Sequence, residues 1–200
     1  MRINCCSGSE MMGAYFKSEM PVLKAFHDVL DENNRHIIIL LDVKGQCAHA
    51  DLYASAFRKY LVDNFYGVSL VTFYQTKYEY MTALLENRDF CFFDVYKRYY
   101  SSKHIDRISN LIDDCIVGRR TAFRSKFECK PGHMGDGPRC FIFCTNDLDN
   151  LWFISALGRS HMTILDMSDM PETLSHWNVT PQYLDARFKE LDAEQDNEGQ

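Results

Sequence analysis

Three short runs in this chain are apolar almost throughout and bounded by polar residues: HIIILL at 36–41, DFCFFD at 89–94 and RCFIFCTN at 139–146. A strand with one wet face alternates apolar and polar residues. These runs do not, so both of their faces must be covered, which is the condition of strands inside a parallel sheet. Between them the period changes. Leu52, Tyr53, Ala56, Phe57, Tyr60 and Leu61 form one helical stripe, and Ile105, Ile108, Leu111, Ile112, Cys115 and Ile116 form another. Buried strands alternating with amphipathic helices predict an α/β fold, with a mainly parallel sheet flanked by helices.

The rest of the chain fits that pattern. Pro21 opens a helix through Val22, Leu23, Phe26, Val29 and Leu30. VSLVTFY (68–74) and MTILDM (162–167) read as further strands, and Tyr78 to Leu85 as a helix. Gly118 stops the Ile105 helix. RRTAFRSKFE (119–128) alternates as a strand with one basic face, and KPGHMGDGP (130–138) reads as a loop on its glycines and prolines. Thr180 and Pro181 cap a last helix through Leu184, Phe188 and Leu191, with an acidic tail expected to fray beyond Leu191. The organisation predicted is an N-terminal segment (1–17), an α/β domain (18–170) and a C-terminal helix with its tail (171–200).

At 46% hydrophobic and 14% aromatic, the 200 residues are rich enough for a sizeable core, which excludes a disordered chain. The longest aliphatic run, Ile37 to Leu41, is far short of the roughly 20 residues that cross a bilayer. MRINCCSGSE lacks the apolar stretch of a secretory signal, and the 8 cysteines are scattered through apolar stretches. Both features fit an intracellular, reducing compartment, host nucleus or cytoplasm, with Cys5 and Cys6 as inert thiols. The net charge of −6 hides an asymmetry: ten basic residues oppose five acidic ones between Lys97 and Arg139. Clustered Lys and Arg are what phosphate neutralisation requires, so this block is the candidate contact for nucleic acid.

Ligands of open parallel sheets bind outside the carboxyl ends of the strands. After HIIILL comes the loop DVKGQCAHA, after DFCFF comes Asp94, and after FIFC come Thr145 and Asn146. The order of these parts, followed by ISNLIDDCIVG, the basic RRTAFRSKFECK and ALGRSHMTILDM, resembles the superfamily 3 helicases of small DNA viruses, a branch of the P-loop ATPases, over about residues 20–170. The resemblance implies a P-loop NTPase-like three-layer architecture, ATP and Mg as cofactors, and a homo-oligomeric ring. It also implies roles: Asp94 as the magnesium-organising acid, unpaired because Val95 follows, Asn146 as the polar sensor, and Arg159 as a finger completing a neighbour's site. Arg119, Arg120, Arg124, Lys126 and Lys130 match the interval that contacts single-stranded nucleic acid, with Phe123 and Phe127 available to stack or to fill the core.

The phosphate loop itself departs from the family. In G-x-x-x-x-G-K-[ST] the glycines let amides approach the phosphates, the lysine neutralises them and the hydroxyl holds magnesium. Here Asp42 and Cys47 stand at the glycines, Ala48 at the lysine and His49 at the hydroxyl, and only Lys44 and Gly45 keep the character of a nucleotide-binding loop. ATP hydrolysis is therefore expected to be weak or lost. Three other readings stay open. Cys129, His133, Cys140 and Cys144 offer four soft zinc ligands for a metal-stabilised nucleic-acid-binding module. A non-catalytic interaction scaffold needs no pocket at all. Cys47 beside His49 gives a weak case for a cysteine hydrolase, since residues two apart rarely face each other.

Overall fold

The structure, a computed structural model, describes residues 19–44, 48–72, 88–95, 102–118, 121–123, 133–135, 137–170 and 178–198. The three apolar runs become β1 (His36–Leu41), β3 (Phe90–Asp94) and β6 (Cys140–Thr145), and β2 (Val68–Thr72) and β7 (Met162–Asp166) join them. All pair in parallel, in the order β2-β3-β6-β1-β7. The three runs without alternation take the centre of the sheet, where both faces are buried. The two strands that keep some exposed apolar side chains, Leu70 on β2 and Ile164 on β7, take its edges.

Helices cover both faces, giving three layers. On one side Ile38, Leu40, Phe90, Phe92, Cys140 and Ile142 pack against α1 (helical over 19–28), α2 (Ala48–Asp63) and α5 (Pro181–Glu198). Phe57 of α2 is the centre of this layer, stacked on Phe26 at 4.1 Å between ring centroids and set edge-on to Phe90, Phe92 and Phe188. On the other side Ile37, Ile39, Cys91, Phe93, Phe141 and Phe143 meet α3 (Ser102–Ile116), Phe153 and Ile154. The short α4 (Ala156–Ser160) lies close to this face, with the position a Cβ would take on Gly158 falling 3.3 Å from Ile37 Cδ1. Ser155 caps α4, accepting the Gly158 N–H while donating to Asp113 of α3 at 2.6 Å.

Two expectations change. The C-terminal helix does not fray at Leu191 but continues to Glu198, and it is integral to the domain, since Leu184, Phe188 and Leu191 are buried in the first core layer. His133–Gly135, read as part of a loop, forms a strand, β5, antiparallel to β4 (Thr121–Phe123). Of the basic alternation at 119–128, β4 is the described part. The helix expected at 78–85 lies outside the described residues. Among the described residues no helix is long and apolar enough to cross a membrane.

Candidate functional site at the carboxyl ends of the strands

Leaving β1, the chain enters α2 on the first face of the sheet. Leaving the adjacent strand β6, it enters the 3-10 turn Leu148–Leu151 and then α4 on the second face. Two neighbouring strands whose exits part in this way open a crevice between their carboxyl ends, the point where ligands of such sheets bind. Asp42, at the exit of β1, is fully buried. Its carboxylate accepts the backbone N–H of His49, in the first turn of α2, at 2.8 Å. His49 Nδ1 stands 3.3 Å from the same oxygen without hydrogen-bond geometry. A helix N-terminus presents unpaired amides and a partial positive charge, so it draws an anion. Here the chain supplies that anion itself.

Lys44 is turned elsewhere. It is exposed and bonds Asp169, beyond β7, at 2.9 Å, a contact that also raises its pKa above the ordinary lysine value. The neighbouring Val43 N–H donates to Ser168 Oγ. Gly45 and Cys47 lie outside the described residues. The fit of a magnesium nucleotide is therefore poor: a carboxylate occupies the anion position, Ala48 has no charge to offer the phosphates, and His49 has no hydroxyl for the metal.

Asp94 ends β3 in register with Cys144 of β6. Its half-buried carboxyl is held above the ordinary value of 3.8, first by desolvation and then by the charge of Asp51, with Arg58 opposing. Asp51 lies in the first turn of α2. Donor atoms of Asp51, Asp94 and Cys144 all lie within 4.8 Å of one another, so this edge of the sheet carries a triad able to hold a metal ion.

At the end of β6, the fully buried Thr145 donates its hydroxyl to the Val95 carbonyl at 2.8 Å and accepts the Asp147 N–H. The Asn150 amide, also buried, stands 3.4 Å from the Val95 oxygen, from Thr145 Oγ1 and from Asn146 Oδ1. Asn146 is thus braced through its oxygen by a second asparagine. Arg159 lies at the opposite edge of the sheet. Its α4 ends where the His161 carbonyl receives the N–H of Ile37, near the start of β1, and its Nε bonds the Ile154 oxygen at 3.1 Å.

Cys140 opens β6 and Cys144 is its last residue but one, about 13 Å away at the usual strand rise, whereas ligands of one zinc ion stand less than about 4 Å apart. Within the set Cys129, His133, Cys140 and Cys144, the last two are thus too far apart to share one zinc ion, and Cys144 lies beside Asp51 and Asp94. Cys140 is fully buried, and burial raises its pKa well above the ordinary thiol value. Of the other two, His133 falls in β5, and Cys129 lies outside the described residues. So do all five cations proposed for nucleic acid: Arg119, Arg120, Arg124, Lys126 and Lys130.

Sequence reasoning overlooked Asp51 and Asn150. A signal for Asp51 was present: starting the helix at Ala48 rather than Leu52 places it in the first turn, on the carboxyl edge of the sheet. No family model matches the chain, and no curated protein matches it.

Proposed function

We propose that this chain is a P-loop-ATPase-like domain, akin to the superfamily 3 helicases, that has lost triphosphate hydrolysis and serves in nucleic-acid replication as a binding domain. One observation carries the reading: in a parallel sheet with a switch-point crevice, the buried carboxylate of Asp42 sits on the first turn of α2, where a nucleotide phosphate would bind. Replacing it with ATP would require expelling a buried, hydrogen-bonded carboxylate or placing phosphate against it, and Ala48 stands where the family's lysine would offset the repulsion. What remains useful is the scaffold and the basic segment. Single-stranded nucleic acid binds through Arg119, Arg120, Arg124, Lys126 and Lys130, and Arg159 is available to a neighbouring copy in a ring.

The test has two arms. In a turnover assay with Asp94→Ala as control, wild type and variant show the same background ATP hydrolysis; turnover that depends on Asp94 overturns the loss of activity. In equilibrium titrations with a single-stranded oligonucleotide, five phosphate contacts give a slope of log K against log salt of about −3.5, or roughly a hundredfold loss of affinity between 50 and 200 mM salt. The Arg119→Ala/Arg120→Ala double variant flattens that slope by about 1.4. Affinity indifferent to salt and to the double substitution removes the binding claim.

A further inference from the structure

We propose that Asp51, Asp94 and Cys144 form a binding site for a divalent transition-metal ion of the zinc class, distinct from the magnesium of a nucleotide site and independent of the nucleic-acid reading. Three elements bring the donors together. Asp94 is the last residue of β3, Cys144 is its register partner on β6, and Asp51 comes down from the first turn of α2. Their donor atoms already lie within 4.8 Å of one another. In a tetrahedral zinc site, bonds of about 2.0–2.3 Å put the donors about 3.3–3.8 Å apart, so rotations of two aspartate side chains close the difference.

The donor set decides the ion. Magnesium and calcium take oxygen and avoid sulfur, whereas a thiolate with two carboxylates suits zinc. The Cys144 side chain is almost wholly buried, with its sulfur 3.9 Å from the Ala50 carbonyl, so the donor is fixed in position by the core. The two carboxylates stand close together, and the charge of Asp51 adds to the desolvation that chiefly holds the Asp94 pKa up; a divalent cation between them offsets that repulsion. Asp51 is exposed, which leaves the fourth tetrahedral position to water, the arrangement of an open site. On binding, the Cys144 S–H bond is replaced by an S–metal bond and the proton leaves to solvent, so affinity rises with pH.

Cobalt(II) is the probe, because a thiolate–cobalt bond gives a charge-transfer absorption in the near ultraviolet that oxygen ligands do not. Titration of the full chain is expected to develop this band to a stoichiometry of one, and zinc should then displace the cobalt. Cys144→Ser abolishes the band. Asp51→Asn keeps it but weakens binding by at least about tenfold, a ligand loss being no smaller than the loss of an outer partner. Absence of a one-to-one band, or a band that survives in Cys144→Ser and so comes from another of the cysteines, overturns the site. If Cys144→Ser does not fold, Asp51→Asn decides at an exposed position, and unchanged cobalt affinity there overturns the proposal.

Discussion

Phe65 follows α2 at φ +65°, in the left-handed region, with its ring 97% exposed. The Tyr66 N–H reaches back to the Leu61 carbonyl and the Phe65 N–H to that of Val62, the paired bonds of a helix stop that usually holds glycine, as Gly118 does after α3 at φ +70°. A side chain there costs about 1 kcal/mol, so Phe65→Gly is expected to gain roughly that much in urea denaturation. Gly158 presents the reverse case. A Cβ would come within 2.9 Å of Ile154 Cγ2, and Gly158→Ala is expected to lose about 1–3 kcal/mol by overpacking α4 against the sheet. The Asp94 carboxyl keeps its proton to higher pH in the folded chain than in the unfolded one, where its value is the usual 3.8. The folded state therefore binds more protons above that pH, and stability falls as pH rises through the folded pKa. In metal-free buffer, the melting-temperature gain of Asp94→Asn over wild type is expected to be absent near pH 3, grow above pH 4 and level off by neutrality. A gain independent of pH would contradict the shift. Residues at strand ends were legible because topology dictates where to look. The placement of Asp51 was not, since it depends on where a helix begins, and apolar periodicity marks the buried stripe rather than the first turn.

Among the elements, the central strands were the most readable, because the absence of alternation has one physical meaning: cover on both faces. The least readable was β5, since glycine-rich sequence suits a loop and an antiparallel arm equally when pairing uses backbone groups alone. How elements join was also hidden. Arg139, seen in the sequence as one more cation of a basic block, is buried and donates from Nη1 to the carbonyls of Val29 and Asp31 and from Nη2 to that of Leu30. It gathers three carbonyls after α1, sharing that of Asp31 with the Asn34 N–H, while its guanidinium lies 4.8 Å from the Phe90 ring centroid. Arg139→Met keeps the stem but strands those acceptors, and is expected to destabilise by about 3 kcal/mol in chemical denaturation. A change under about 1 kcal/mol would mean that water replaces the guanidinium without loss. Glu19 plays a similar joining part: buried in α1, it accepts the hydroxyls of Tyr53 on α2 at 2.5 Å and Tyr183 on α5 at 2.7 Å.

At the scale of the whole molecule, local patterns predict layers but not strand order, which arises from how crossovers pack on the two faces. The observed order places the exits of β3, β6 and β1 side by side, and with them Asp94, Thr145 and Asp42. The departures from a phosphate-binding loop, visible in sequence as missing glycines and a missing lysine, become one structural fact: Asp42 is turned inward as the anion of its own helix terminus. That substitution is the centre of the account, and calorimetric titration of the full chain with magnesium ATP tests it most directly. The account predicts no saturable heat into the millimolar range. Saturable one-to-one binding at micromolar ATP would contradict it, because the nucleotide would then be displacing a carboxylate that the fold holds in place.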